Sequence, residues 1–139
     1  MADGIKVDIV SPERLVLSVE ASSVTIPGLE GYFTVLGEHA PTMSTLKPGF
    51  ISVEGGGSSV YYVRGGFVEV SADGVTVLAE EAQDVSQFDK AEIDAILADA
   101  RAKLEAATDV VERDAAQLLV HSFENLLSEV EHMGPAISM

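Results

Sequence analysis

The chain has no cysteine and no tryptophan. The first absence removes disulfides, thiolate metal sites and thiol nucleophiles together. Basic residues are scarce: eight lysines and arginines stand against 23 aspartates and glutamates, for a net charge of −15. So acidic a surface repels phosphate backbones and anionic lipid headgroups. That argues against nucleic acid and direct membrane insertion, and suits a basic partner. No long apolar run occurs, so no bilayer-spanning helix is expected. The opening stretch, Met1 to Lys6, lacks a basic segment followed by an apolar one, and no arginine-rich transit peptide follows. No secretory or organellar leader is expected from it.

What is present suffices for one ordinary domain or two small ones: 139 residues, 47% of them hydrophobic. The composition changes near Asp84. Before it, valine, glycine, proline and tyrosine dominate; after it, alanine, leucine and acidic residues. Strands followed by helices predict an α+β chain, divided into residues 1–84 and 85–139.

The first part alternates in short runs: Ile5 to Val10, Leu15 to Val19, Val24 to Ile26, Phe33 to Val35, Phe50 to Val53, Val60 to Val63, Phe67 to Val70 and Val75 to Leu78. Pro27-Gly28, Pro48-Gly49 and Asp73-Gly74 read as turns, the last as a tight turn with positive φ. Gly55-Gly56-Gly57 reads as a hairpin tip. Short, evenly spaced strands predict a small sandwich or flattened barrel. The second part shows a 3.6-residue period. One helix is predicted from about Asp89 to Ala106, with Ile93, Ile96, Leu97, Ala100 and Leu104 on one face. Another runs from about Val110 to Met133, with Ala116, Leu119, Phe123, Leu126, Val130 and Met133 inward. Ser86 with Asp89 as a capping-box-like start, or Asp89 alone, caps the first, Thr108 or Asp109 caps the second, and Gly134-Pro135 ends it. The short link predicts an antiparallel αα-hairpin.

Chemistry-bearing patterns are sparse. Glycines and lysines never take phosphate-loop spacing. His39, His121 and His132 are not three or four residues apart in any pair, so they form no helical metal pair. Glu80, Glu81 and Asp84 read as a solvated acidic run, and Ser58 and Ser59 have no His–Asp framework. No catalytic residue, cofactor or metal is expected.

The informative segment is Ile26-Pro27-Gly28-Leu29-Glu30-Gly31-Tyr32-Phe33-Thr34-Val35-Leu36-Gly37-Glu38-His39-Ala40-Pro41, followed by Leu46-Lys47-Pro48-Gly49. With Val7-Asp8-Ile9-Val10-Ser11-Pro12-Glu13, Gly65-Gly66-Phe67-Val68-Glu69-Val70 and Val75-Thr76-Val77-Leu78-Ala79-Glu80, it resembles the epsilon subunit of F-type ATP synthases, called delta in mitochondria. Each motif alone is ordinary; the ordered set is specific and spans the first part of the chain. The resemblance implies a β-sandwich of about ten strands with an αα-hairpin behind it. It implies a non-catalytic rotor subunit, bound to the gamma subunit and the c-subunit ring, that helps couple proton flow to ATP synthesis. It is expected to be peripheral at the cytoplasmic face of a bacterial inner membrane. Gly28, Leu29, Glu30, Gly31 and Tyr32 correspond to the c-ring interface, and His39, Ala40 and Pro41 to the gamma interface.

The chain departs from that family in several places. Gly37-Glu38 stands where many relatives have proline-glycine, and Tyr32 where many have an acid. Some relatives bind ATP at the hairpin through an aspartate followed three residues later by an arginine. Here Asp89 is followed by Glu92, whose carboxylate repels a triphosphate. In inhibitory relatives a basic second helix meets the catalytic alpha and beta subunits. This one is acidic, with Glu112, Asp114, Glu124, Glu129 and Glu131 against Arg113. Weak inhibition is therefore expected. The competing readings are a β-sandwich adaptor for a basic partner and a small nucleotide sensor.

Overall fold

The computed structural model describes residues 4–37, 41–55 and 58–133. Eight strands come first among them: β1 (Ile5–Val10), β2 (Leu15–Ala21), β3 (Ser23–Gly28), β4 (Gly31–Val35), β5 (Thr42–Thr45), β6 (Gly49–Glu54), β7 (Ser58–Ser71) and β8 (Gly74–Asp84). A 3-10 turn at Val85–Gln87 precedes α1 (Lys90–Ala106) and α2 (Val110–Met133). The chain divides into two compact units, Met1–Val85 and Ser86–Met139.

The count of about ten strands needs correcting to eight, and the reason is the length of β7 and β8, 14 and 11 residues. Val60–Val63 and Phe67–Val70, which read as two strands, are one strand bent at Gly65-Gly66. Past the bend, Phe67–Val70 pairs with β5 on one side and with β8 on the other. Before it, Ser58–Val63 pairs with β6, while Tyr61–Val63 also meets the end of β8. Each long strand therefore serves two layers. One layer runs β2-β1-β8-β7-β5 and the other β8-β7-β6-β3-β4. Gly66 makes the bend possible. Its φ of +98° is one that side-chain-bearing residues rarely adopt, and a Cβ there would collide with the Leu78 carbonyl oxygen.

The core follows from alternation. In β1, Ile5, Val7 and Ile9 are buried while Lys6 is exposed, as a period of two requires. Val68, Val70, Val75 and Val77 join them from one layer, and Val24, Ile26, Ile51, Val53 and Val63 from the other, in one apolar cluster. β1 and β8 run parallel while the other pairs are antiparallel.

Two local expectations shift. The turn near Asp73 has Ala72-Asp73 at its tip, closed by Ser71 opposite Gly74. No described residue other than glycine has positive φ, so Asp73 is not in the predicted left-handed geometry. Strand β5 (Thr-Met-Ser-Thr) was not anticipated. Its pattern has no apolar alternation, and its pairing with β7 supplies the ladder that holds it extended. Of the triglycine tip, Gly55 is described, and Gly56 and Gly57 lie outside the described residues, as does Gly134-Pro135.

The hairpin forms where its caps put it. The Asp89 carboxylate accepts from the Ala91 N–H at 3.0 Å, so Asp89 caps α1. Asp109 caps α2 by accepting from Glu112 N–H at 2.8 Å, while the Glu112 carboxylate reaches back to Thr108 N–H at 3.3 Å. That is a capping-box exchange shifted outward by one residue. Three residues join the helices, and Arg101 bridges to Glu124 across them at 2.8 Å. Among the described side chains of the two helices, Ile93, Leu97 and Ala100 of α1 and Ala116, Val120, Phe123 and Leu126 of α2 are buried. Leu119, expected inward, is 40% exposed, and Val120 takes its place.

Candidate interaction surfaces

The segment Gly28–Tyr32 is a tight hairpin: Gly28 pairs with Gly31, leaving Leu29 and Glu30 at the tip. Proline at 27 ends the ladder donors of β3, and the tip is held from the side instead. Leu29 N–H donates to the Thr45 carbonyl at 2.9 Å, and Lys47 N–H to the Pro27 carbonyl at 3.0 Å. The Tyr32 hydroxyl accepts from Phe50 N–H at 3.0 Å. The Lys47 ammonium stands 5.0 Å from the centre of the Tyr32 ring, within cation–π range. Leu29 and Tyr32 remain exposed. With Met43, Thr45 and their neighbours they line a shallow concavity of about 560 Å³. All five sequence-predicted c-ring residues thus fall together. Met43 and Lys47 join them without having been predicted as site residues; Lys47 lies in the Leu46-Lys47-Pro48-Gly49 motif of the resemblance, and Met43 had no signal.

His39 and Ala40 lie outside the described residues. Pro41 is exposed and leads into β5. β5 borders a second surface that no motif announced. On the outer sheet face, Thr45 pairs with Phe67, Phe67 with Leu78, Leu78 with Val10 and Val10 with Leu15. Register partners project to the same face, so Phe67, Leu78 and Val10 form a continuous apolar row across three strands, with Leu15 opposite Val10 beyond an irregularity in the β1–β2 register. Phe67 is 39%, Leu78 38% and Leu15 57% exposed. Met43, the partner of Glu69, extends it at the corner. The next row is polar: Glu69, Thr76, Asp8 and Ser18, with the Ser18 hydroxyl on the Asp8 carboxylate at 2.7 Å. An apolar band of this kind, rimmed by polar groups, marks a contact surface rather than random exposure.

Reactive groups are few. Burial first, and Asp84 second, push the Tyr61 phenol above its ordinary range against the opposing pull of Arg14, so it stays protonated at neutral pH. Among the described residues, no cluster of His, Asp and Glu is arranged to hold a metal. No described helix is long and apolar enough to cross a membrane. Asp89 is committed to the cap, and Glu92 stands exposed in the same first turn. Lys90 and Lys103 each sit on a carboxylate of their own helix, at 3.3 and 3.2 Å.

A two-layered sandwich with an apolar outer row and a side-braced tip, followed by a capped helical hairpin, defines a class of small docking subunit. Residues 4–85 match the family model of the ATP synthase delta/epsilon chain, beta-sandwich domain. The chain is 43% identical to the ATP synthase epsilon chain of Maricaulis maris over 133 residues, covering 95% of this chain and 100% of that one. With the epsilon chain of Ruegeria sp. the identity is 37% over 140 residues, all of both chains. A solved relative is a chain of the Euglena gracilis mitochondrial ATP synthase (OSCP/F1/c-ring), at 26% identity and a TM-score of 0.74, over 92% of this chain and 82% of that one. The chain belongs to the ATP synthase delta/epsilon family, the epsilon-type central-stalk component of the F-type enzyme.

Proposed function

We propose that this chain is a non-catalytic rotor subunit that couples c-ring rotation to ATP synthesis in the catalytic hexamer of a proton-translocating ATP synthase. The observation that carries this is the apolar row Phe67–Leu78–Val10–Leu15, exposed on an otherwise acidic chain. We assign it to the gamma shaft, together with His39, Ala40 and Pro41. The Gly28–Tyr32 tip meets the polar loops of the c-ring, with Met43 beside it. Work is transmitted by shape and contact, without bond chemistry. The subunit sits peripherally at the cytoplasmic face of a bacterial inner membrane, held there by those two partners.

The test is direct association. The purified chain is expected to form a one-to-one complex with gamma by size exclusion and light scattering. Absence of that complex at micromolar concentrations, or substrate turnover by the chain alone, overturns the reading.

The hairpin acts as a weak inhibitor of hydrolysis. Its acidic α2 meets acidic catalytic-subunit segments with like charge, which disfavours insertion. Deleting residues 85–139 from the assembled enzyme is therefore expected to change the ATP hydrolysis rate by less than about twofold, because a like-charged contact adds little affinity. Relief of inhibition well beyond that range contradicts the assignment.

A further inference from the structure

We propose that Tyr32 is a positioning residue, whose hydroxyl locks the β3–β4 tip onto β6 and fixes the angle at which Leu29 and Glu30 meet their partner. The proposal rests on the reading of that tip as the c-ring surface, and adds what holds it rigid.

The need for a lock lies in the ladder. β4 is the last strand of its layer, and its backbone ladder among the described residues is with β3. β3 in turn pairs with β6 only as far as Thr25 opposite Ser52. Beyond that point comes Pro27, which has no N–H to donate. The β3–β6 ladder thus stops short of the tip, which is held instead to the Thr45–Lys47 segment by Leu29 N–H on the Thr45 carbonyl and Lys47 N–H on the Pro27 carbonyl. The Tyr32 hydroxyl adds a direct link to β6. It reaches over β3 and accepts from Phe50 N–H at 3.0 Å, tying β4 to β6 across 18 residues of sequence.

The notch that receives the phenol is made by an absence. Gly49 is buried. A Cβ there would lie 2.5 Å from the Tyr32 hydroxyl oxygen and 2.7 Å from Pro27 Cβ. Tyr32 and Pro27 are register partners, so both rest on the same bare backbone. Lys47 closes the arrangement from the ring's face, 5.0 Å from its centre. The hydroxyl is turned inward to accept from the Phe50 N–H, which separates its role from that of the exposed Leu29 and Glu30.

The experiment uses the full chain and the assembled synthase carrying it, with Tyr32→Phe, Gly49→Ala, the double variant, and the tip variant Leu29→Asp. Two readouts are taken: hydrogen exchange at the Phe50 amide in the free chain, and protons pumped per ATP hydrolysed in the complex. Tyr32→Phe keeps the ring and removes one acceptor. It is expected to speed exchange at Phe50 by about tenfold, the loss of one hydrogen bond, and to lower the pumping ratio while the complex still assembles. Gly49→Ala expels the phenol and should give the same two changes, and the double variant should be no worse than the worse single. If Leu29→Asp lowers the ratio and Tyr32→Phe does not, the lock is wrong and the c-ring reading stands. If Leu29→Asp also leaves the ratio unchanged, the c-ring reading falls, and the lock with it.

Discussion

Replacing Gly66 by alanine is expected to lower the stability of the strand-rich unit by about 3 kcal/mol, the cost of forcing a side chain into left-handed backbone against a hard obstacle. The obstacle is specific. At φ +98° the new methyl points at the Leu78 carbonyl oxygen of the neighbouring strand, with the Ala79 Cα 2.9 Å away. Backbone cannot swing aside as a flexible side chain can, so β7 and β8 must separate at the bend. The Gly66 carbonyl also accepts from Leu46 N–H at 2.9 Å, so the connection after β5 loosens with it. For a unit of this size the penalty corresponds to a fall of about 10 °C or more in the thermal midpoint. A melt within about 2 °C of the parent, well inside that penalty, would mean the bend is not where the structure puts it.

Phe67→Glu combined with Leu78→Glu is expected to do the opposite: leave the fold intact and remove the partner. Both side chains lie on the outer face, over a third exposed, and pair with each other across β7 and β8. Their replacement empties no core. It does place two carboxylates in the middle of the apolar row, where a docked surface would bury them without counter-charge. Central, desolvated contacts carry most of an interface's energy, so affinity for gamma should fall by about 100-fold or more. Titration calorimetry against gamma, with the thermal midpoint as a control, measures both halves of the expectation. Unchanged affinity would move the shaft to another face of the sandwich.

Much of this was legible in the sequence because it is encoded locally. Asp89 and Asp109 cap their helices within three residues of themselves, and the α1 stripe Ile93, Leu97, Ala100 follows from period alone. Gly28 to Tyr32 announces its hairpin through Pro27-Gly28 and Gly31. What sequence hid depends on distant partners. Nothing at Tyr32 indicates Phe50, and nothing at Gly49 indicates that its missing side chain makes room for Tyr32. The apolar row takes single residues from β7, β8, β1 and β2 that only strand pairing brings together, so no window of sequence contains it. β5 was missed because Thr42 to Thr45 is polar and is held extended by β7. Leu119 and Val120 exchanged places because adjacent residues on a helix lie about 100° apart, and both border the buried stripe.

The long strands bear on how such a part withstands twisting. A sandwich of separate strands resists sliding of one leaf over the other only through side-chain friction. Here β7 and β8 are threaded through both leaves, like two stitches through folded cloth. On the proposed assignment, torque entering by the leaf that carries the apolar row reaches the other along covalent chain, which is far stiffer than apolar packing. The subunit can therefore act as a rigid washer between two turning bodies, with little lost motion inside it.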